Sequence, residues 1–346
     1  MSYNNDMNII PLFIPHAGCK TRCVFCNEYA ATGLPKFPEL EKLRNTIIEY
    51  RGYFKDKENV DIAFYGGTFT GLPLKIMTAY LELSMQFIRE GYAKGIRFST
   101  SPEEITPEKL SIIRNYPVSL TELGVQSFDN EVLKKAHRPH NLDDVYNAVK
   151  LLKNNAIPFG IHLMTGLPGD TEAKDLISAT EVANLGALTC RIHPAIVLRG
   201  TALEEMYLRG EYVPQSLENA LEITWKMYVL LTSRGVLVNR MGLCLYGDTV
   251  KEVVSGPYHP AFGDLVKSKV ALEIAKLIAD EKKSRNLILP AGPEYRQFFT
   301  GYKKYVIRNL QKLGITLEFS ENSSTIDIDR YVSKLCEKTV VCPGVF

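Results

Sequence analysis

The stretch NIIPLFIPHAGCKTRCVFC, residues 8–26, joins two patterns. Its first part is a short run of β-branched and aromatic residues ending at proline, the mark of a strand. Its second part is a loop carrying three cysteines, Cys19, Cys23 and Cys26. The strand pattern recurs downstream in NVDIAFYGG, GIRFSTSP, PVSLTELGVQS, IPFGIHLMTGLPG and TCRIHPAIVL, each stopping at Gly, Pro or Ser. Between these runs lie stretches with helical spacing, roughly 36–51, 73–94, 103–116, 129–136, 141–155 and 170–186. Strands alternating with helices mean βαβ units and a parallel sheet. The expectation is an α/β fold, a partial (β/α)6 barrel over residues 1–196.

After residue 197 the rhythm changes. RGTALEEMYLRGEY and SLENALEITWKMYVLLTSRG read as helices and VLVNRMG as a strand. The loop GPYHPAFG follows, then a helix over roughly 264–283, a strand NLILPAG, a helix over roughly 293–313 and a strand ITLEFSE. Residues 197–346 are therefore expected to form a smaller α+β extension packed on the barrel.

Polar and glycine residues collect just past the C-terminal ends of the barrel strands, the edge that holds active sites in α/β folds. Cys19 follows the first strand, Gly66 and Gly67 the second, Ser99, Thr100 and Ser101 the third, Gln126 the fourth, His162 and Gly166 the fifth. The 346 residues, 45% hydrophobic and 23% charged, are those of an ordinary globular chain, and a net charge of +2 says little about partners. Seven cysteines are too few for a disulfide scaffold in a chain this long. The N-terminus lacks the basic and apolar regions of a signal peptide, and no apolar run is long enough to span a bilayer. A cytoplasmic chain without membrane contact is expected.

Three clustered thiols pose a chemical question. A structural zinc takes four ligands, usually as two separated pairs, and there is no second CxxC. His16 lies nearby, at no familiar finger spacing. A ferredoxin-type cluster would take a fourth cysteine. Three thiolates on one loop suit a 4Fe–4S cluster with one iron left open, as a catalytic zinc keeps one position open.

Cys-x3-Cys-x2-Cys, with Phe25 just before the last cysteine, resembles the signature of the radical S-adenosylmethionine (SAM) superfamily. The resemblance implies a partial barrel of that type, with Cys19, Cys23 and Cys26 holding the cluster. It implies that the open iron chelates S-adenosylmethionine, that one electron cleaves the sulfonium, and that the resulting 5′-deoxyadenosyl radical abstracts hydrogen from substrate. It also implies oxygen sensitivity and a reduced flavodoxin or ferredoxin as electron donor. FYGGTFTGLP is similar to the superfamily's glycine motif, in which Gly66 and Gly67 would receive the methionyl amine; many members have Glu where this chain has Thr68. TELGVQSFDNEVLKKAHRPH is similar to a stretch of oxygen-independent coproporphyrinogen III oxidases and of the Elongator radical-SAM subunit. That match would give Gln126 a cofactor hydrogen bond and pair Arg138 with the methionyl carboxylate, a role that suits a planar guanidinium. In IHLMTGLPGDT, His162 stands where coproporphyrinogen oxidases carry Asp and Elongator-type proteins carry His. His162 would contact cofactor or substrate, or be a satisfied structural residue. Ser101 would reach the cofactor or cap a helix.

VLRGTALEEMYLRGEYVPQSLENALE resembles the C-terminal extension shared by Elongator-type and uncharacterised bacterial radical-SAM proteins. An Elongator-like acetyltransferase domain is not expected to follow it. The leading expectation is thus an Elongator-like radical-SAM enzyme acting on tRNA or a nucleotide, with no catalytic side chain assigned. The basic residues between 264 and 313 suit RNA, or simply form solvated helix faces. The alternatives are a small-molecule transformation of the coproporphyrinogen-oxidase type, and a non-catalytic iron–sulfur or S-adenosylmethionine-binding chaperone or sensor. Tyr258 and His259 in GPYHPAFG are candidates to face the barrel mouth, and the tail TVVCPGVF with Cys342 to fold over it. Cys190 and Cys244 read as small buried hydrophobes.

Overall fold

The computed structural model describes residues 7–29, 38–54, 59–245, 247–321, 323 and 325–339. The tail around Cys342 lies outside the described residues. The first half of the chain alternates as expected: β1 (Asn8–Phe13), α1 (Leu40–Tyr53), β2 (Val60–Tyr65), α2 (Leu74–Arg89), β3 (Gly95–Thr100), α3 (Pro107–Ile113), β4 (Val118–Gln126), α4 (Asn130–Lys135), α5 (Leu142–Asn154), β5 (Phe159–Thr165), α6 (Glu172–Asn184) and β6 (Thr189–Pro194). Beyond it come β7 (Val197–Leu198), α7 (Ala202–Leu208), α8 (Leu217–Ser233), β8 (Leu237–Met241) and β9 (Val253–Ser255). The chain then runs through α9 (Phe262–Lys282), β10 (Asn286–Pro290), α10 (Pro293–Thr300), α11 (Tyr305–Lys312), β11 (Thr316–Ser320) and α12 (Ile328–Thr339).

The main sheet has seven strands in the order β1-β2-β3-β4-β5-β6-β8, and every neighbouring pair is parallel. The six expected strands stand side by side in chain order. The seventh comes from beyond residue 196: α8 crosses over after β6 and delivers β8 to the open edge, pairing Arg191 with Arg240. Helix starts follow capping chemistry. Side-chain oxygens of Thr106, Asp129, Asn141, Thr171, Thr201 and Ser216 each accept from a backbone N–H in the first turn. The helix expected over 103–116 begins only at Pro107, because Thr106 caps it and Pro102–Glu104 forms a separate short turn.

One apolar core runs through the barrel and into the C-terminal part, where α8 and α9 share it. In the C-terminal part β10 and β11 pair in parallel, and β7 pairs with β9 antiparallel. The helix expected over 293–313 is broken. Gly301 (φ 69°) ends α10, and Lys303 and Lys304 also take positive φ before α11. A Cβ on Gly301 would sit 2.9 Å from Ser268 Oγ, which accepts the Tyr302 N–H.

The loop after β1 is welded to the loop after β2 by backbone approach. A Cβ on Gly67 would lie 2.5 Å from the Ala17 carbonyl oxygen and 2.6 Å from that of Ile14. The Thr68 N–H donates to Ala17 O at 2.8 Å and the His16 N–H to Gly66 O at 2.7 Å. Phe69, just past the weld, stacks against Phe98 and meets Phe64 at a tilt, each 4.7 Å between ring centres. Gly67→Ala is therefore expected to cost about 1–3 kcal/mol, the usual range for overpacking. Denaturant unfolding checks this; a variant as stable as the wild type would mean that the two loops are not held by this contact.

Candidate active site

The three cysteines stand on the loop after β1, at the C-terminal edge of the sheet. The loop is tied from several sides. The Val24 N–H donates to Ala136 O after α4, the Leu203 N–H of α7 donates to Val24 O at 2.7 Å, and Asn27 Nδ2 donates to Arg199 O at 2.8 Å. Phe25 packs beside Val24, Val132, Ala136 and Met164. The part of the chain beyond 196 thus helps to hold the cysteine loop, a role the sequence pattern did not reveal.

His16 is occupied by the loop itself. Its Nε2 accepts the Glu28 N–H at 3.1 Å and lies 2.7 Å from Arg22 Nη1. Burial, with help from Arg22, lowers its pKa to about 4, so the ring is neutral with its proton on Nδ1, 4.0 Å from Cys26 Sγ. Burial pushes the Cys19 and Cys26 thiols up. Among the described residues no three His, Cys, Asp or Glu side chains are gathered around the position of one ion. Thiolates that each take a different iron of a cluster need no such common centre.

The other expected residues converge on this loop to different degrees. Arg138 Nη1 donates to Cys23 Sγ at 2.9 Å. Its Nη2 donates to Ser101 Oγ at 3.3 Å and to the Gly124 carbonyl, and its buried Nε has no partner. Gln126 takes φ 76°, rare for a residue with a side chain, and its amide folds back over Gly124 beside Arg138. Ser101 does not cap a helix; its hydroxyl donates to Glu103 and lies 3.4 Å from His140 Nδ1. Thr68 Oγ1 is 3.3 Å from Cys19 Sγ. Gly66 (φ 83°) faces Glu28, whose carboxylate oxygen would be 3.1 Å from a Cβ placed there. This buried carboxylate was missed in the sequence because it follows the cysteine motif rather than the glycine pair. An open recess of about 410 Å³, lined by residues 15–22 and Tyr29, lies beside Cys19.

His162 belongs to a second group, on the β-strands rather than the loops. Glu122 of β4 and Arg191 of β6 pair at 2.7 Å, and Arg191 also donates to Tyr65 Oη at 2.9 Å. His162 Nε2 is 3.5 Å from Glu122 Oε1, and the His193 ring is 6.3 Å from that of His162. Burial would raise the Glu122 carboxyl, but Arg191, then His162 and Arg97, outweigh it and hold it at about 2. Burial lowers both imidazoles, so both are neutral. Of this group the sequence analysis singles out His162 alone; Glu122, Arg191 and His193 are spread over two strands and come together with it only through the sheet register.

His259 does not face the cysteine loop. Its Nδ1 accepts the Ala261 N–H at the start of α9, and its ring meets Tyr302 edge-on at 5.7 Å. Tyr258 packs against the small apolar cluster of Ile196, Leu198 and Leu245. Cys190 is fully buried, as expected, whereas Cys244 is only partly so.

Glu122→Gln leaves the buried Arg191 without its counter-charge. A carboxyl held at about 2 adds stability above its ordinary pKa and loses it as pH falls toward 2. The expected loss at neutral pH is roughly 3 kcal/mol, and the gap between wild type and variant should close in acid. Urea unfolding of both proteins across that range checks it; a constant gap would show that the carboxylate charge is not what matters.

Comparison with known proteins gives a consistent picture. The sequence model of the radical SAM superfamily matches residues 13–178, and that of the radical SAM C-terminal domain matches residues 188–271. A tRNA uridine(34) acetyltransferase of Methanocaldococcus infernus is 26% identical over 196 residues, covering 51% of this chain and 36% of that protein. An uncharacterised protein of Methanocaldococcus jannaschii is 28% identical over 202 residues, covering 55% of this chain and 60% of its own length. This chain therefore matches only a third to three fifths of these two relatives. The solved structure of archaeal Elp3 from Methanocaldococcus infernus has the same fold, with a TM-score of 0.59 at 20% identity, covering 80% of this chain and 64% of that one. No helix among the described residues is long and apolar enough to cross a membrane. With the cysteine signature on a loop at the C-terminal edge of a parallel half-barrel, and both models matched along the chain, the protein belongs to the radical SAM superfamily and is a radical SAM enzyme.

Proposed function

We propose that this enzyme binds a 4Fe–4S cluster through Cys19, Cys23 and Cys26, cleaves S-adenosylmethionine reductively, and takes hydrogen from a nucleotide of tRNA. The observation that carries the reading is the convergence of Arg138, Gln126, Ser101 and Thr68 on one loop of three thiols. The donor set fits the group: three thiols, each free of a disulfide, with a guanidinium donating to one of them. When bound, the cluster supplies the single electron that breaks the sulfonium bond and leaves methionine and a 5′-deoxyadenosyl radical.

The chain's own residues do the positioning. Arg138 offsets the negative charge that accumulates as the thiols deprotonate on binding metal. Gln126, fixed by its positive φ, presents its amide beside Arg138 toward the cofactor. Gly66 leaves the Glu28 carboxylate within reach of a cationic group such as the methionyl amine, which supplies the acid absent at Thr68. His162 then serves the strand-borne group and not the cofactor loop. A reduced flavodoxin or ferredoxin is the electron donor of this reading.

The tRNA part draws on the names of the relatives and on charge. Among the described residues, Lys267, Lys282, Lys283, Arg285, Lys304, Arg308 and Lys312 are exposed without an ion pair. Lys269 and Lys276, by contrast, are spent on Glu222 and Glu273. Free cations on the C-terminal helices suit a phosphate backbone.

Anaerobically reconstituted protein should hold about four irons, and any one of Cys19→Ala, Cys23→Ala or Cys26→Ala should lose them. Reduced with dithionite, it should convert S-adenosylmethionine to 5′-deoxyadenosine and methionine, faster when bulk tRNA is added. Retention of iron by the cysteine variants would contradict the ligand set. Cleavage that tRNA leaves unchanged would contradict the substrate.

A further inference from the structure

The strand-borne group leaves one positive charge unspent. Glu122 is the acid that the charges of Arg191, His162 and Arg97 act on, and Arg191 already pairs with it. Arg97 stands 3.8 Å from Asp61. Arg240, in register with Arg191 on the next strand, is exposed, and among the described residues it makes no hydrogen bond or ion pair. Its charge is felt at both neighbouring imidazoles, where it opposes protonation. His193 Nε2 is buried without a hydrogen-bond partner, while His162 Nε2, also buried, has only Glu122 Oε1 at 3.5 Å.

Such an arrangement is costly unless something completes it. A buried ring nitrogen without a partner carries a desolvation penalty, and a neutral imidazole can offer its N–H to an acceptor. Beside a free guanidinium, the fitting acceptor is an anion: it gives His193 the acceptor it lacks and Arg240 the partner its fork is shaped for. A cation would meet Arg240 and Arg191, and a neutral apolar group would leave the His193 nitrogen bare.

We propose that Arg240, His193 and His162 form a receiving site for an anionic group, a carboxylate or a phosphate, of the molecule the enzyme acts on. That this anion belongs to the substrate rests on the radical reading above; that the site binds anions does not. The site lies on β5, β6 and β8, so its third member comes from the strand added beyond residue 196. The extension would then contribute to substrate choice directly, from within the sheet.

The test uses full-length, cluster-loaded protein without reductant, so no turnover is involved. Inorganic phosphate and acetate are titrated separately in a calorimeter, and the histidine imidazoles are followed by NMR. At least one anion should bind and shift the His193 and His162 resonances. Arg240→Gln should weaken that binding about tenfold or more, Arg240→Lys should restore part of it, and Arg114→Gln, an exposed arginine at the end of α3, should not change it. Tighter phosphate binding assigns the site to a phosphate, and tighter acetate binding to a carboxylate. Binding of neither anion, equal binding by Arg240→Gln, or an equal loss in Arg114→Gln overturns the proposal. If the wild type binds anions but never cleaves S-adenosylmethionine, the radical reading fails and the anion site stands.

Discussion

The close approach of two backbones, residues 14–18 and residues 66–72, is the constraint on which the site depends. No side chain fits between them: a Cβ on Gly18 would lie 2.1 Å from Thr68 O, and one on Gly71 2.2 Å from Gly18 O. Gly67 is closed in the same way by Ala17 and Ile14. The contact fixes where the cysteine loop leaves the sheet, and it brings Thr68 against Cys19. The remaining ties, from Ala136 and Leu203 to Val24, then hold the far side of the loop. The loop has only short turns of its own, such as Cys19 N–H to His16 O and Cys26 N–H to Cys23 O, so keeping three thiols in fixed positions calls for this kind of external clamping.

The glycine pair shows that a motif expected to serve a cofactor also carries a structural duty. Sequence resemblance assigns Gly66 and Gly67 to the cofactor. The geometry gives Gly67 to the weld between loops and leaves Gly66, with its positive φ, facing Glu28. Ser101 is a similar case: it stands at the N-cap position of the short Pro102–Glu104 turn, but its side chain makes no capping bond there and instead joins Arg138 to Glu103 and His140.

The strands were legible because their β-branched runs end sharply at Gly, Pro or Ser, and the parallel order followed from the helices between them. The partner of VLVNRMG was not legible, since a strand's sequence carries its burial pattern but not its neighbour. The break at Gly301 was hidden within a helical pattern because a single glycine is tolerated there unless φ turns positive. The grouping of Glu122, Arg191, His162 and His193 could be found only through register. His162 stands beside Arg191 and Met164 beside His193, on strands nearly 30 residues apart in the chain.

With only Cys19, Cys23 and Cys26 as protein ligands, one iron of the cluster would stay open to S-adenosylmethionine. Mössbauer spectroscopy of the reconstituted protein, enriched in the active iron isotope, reads each iron separately. On adding S-adenosylmethionine, one iron of the four should change its isomer shift while the other three stay alike. If all four remain equivalent, every iron has a protein ligand and the open-site account is wrong.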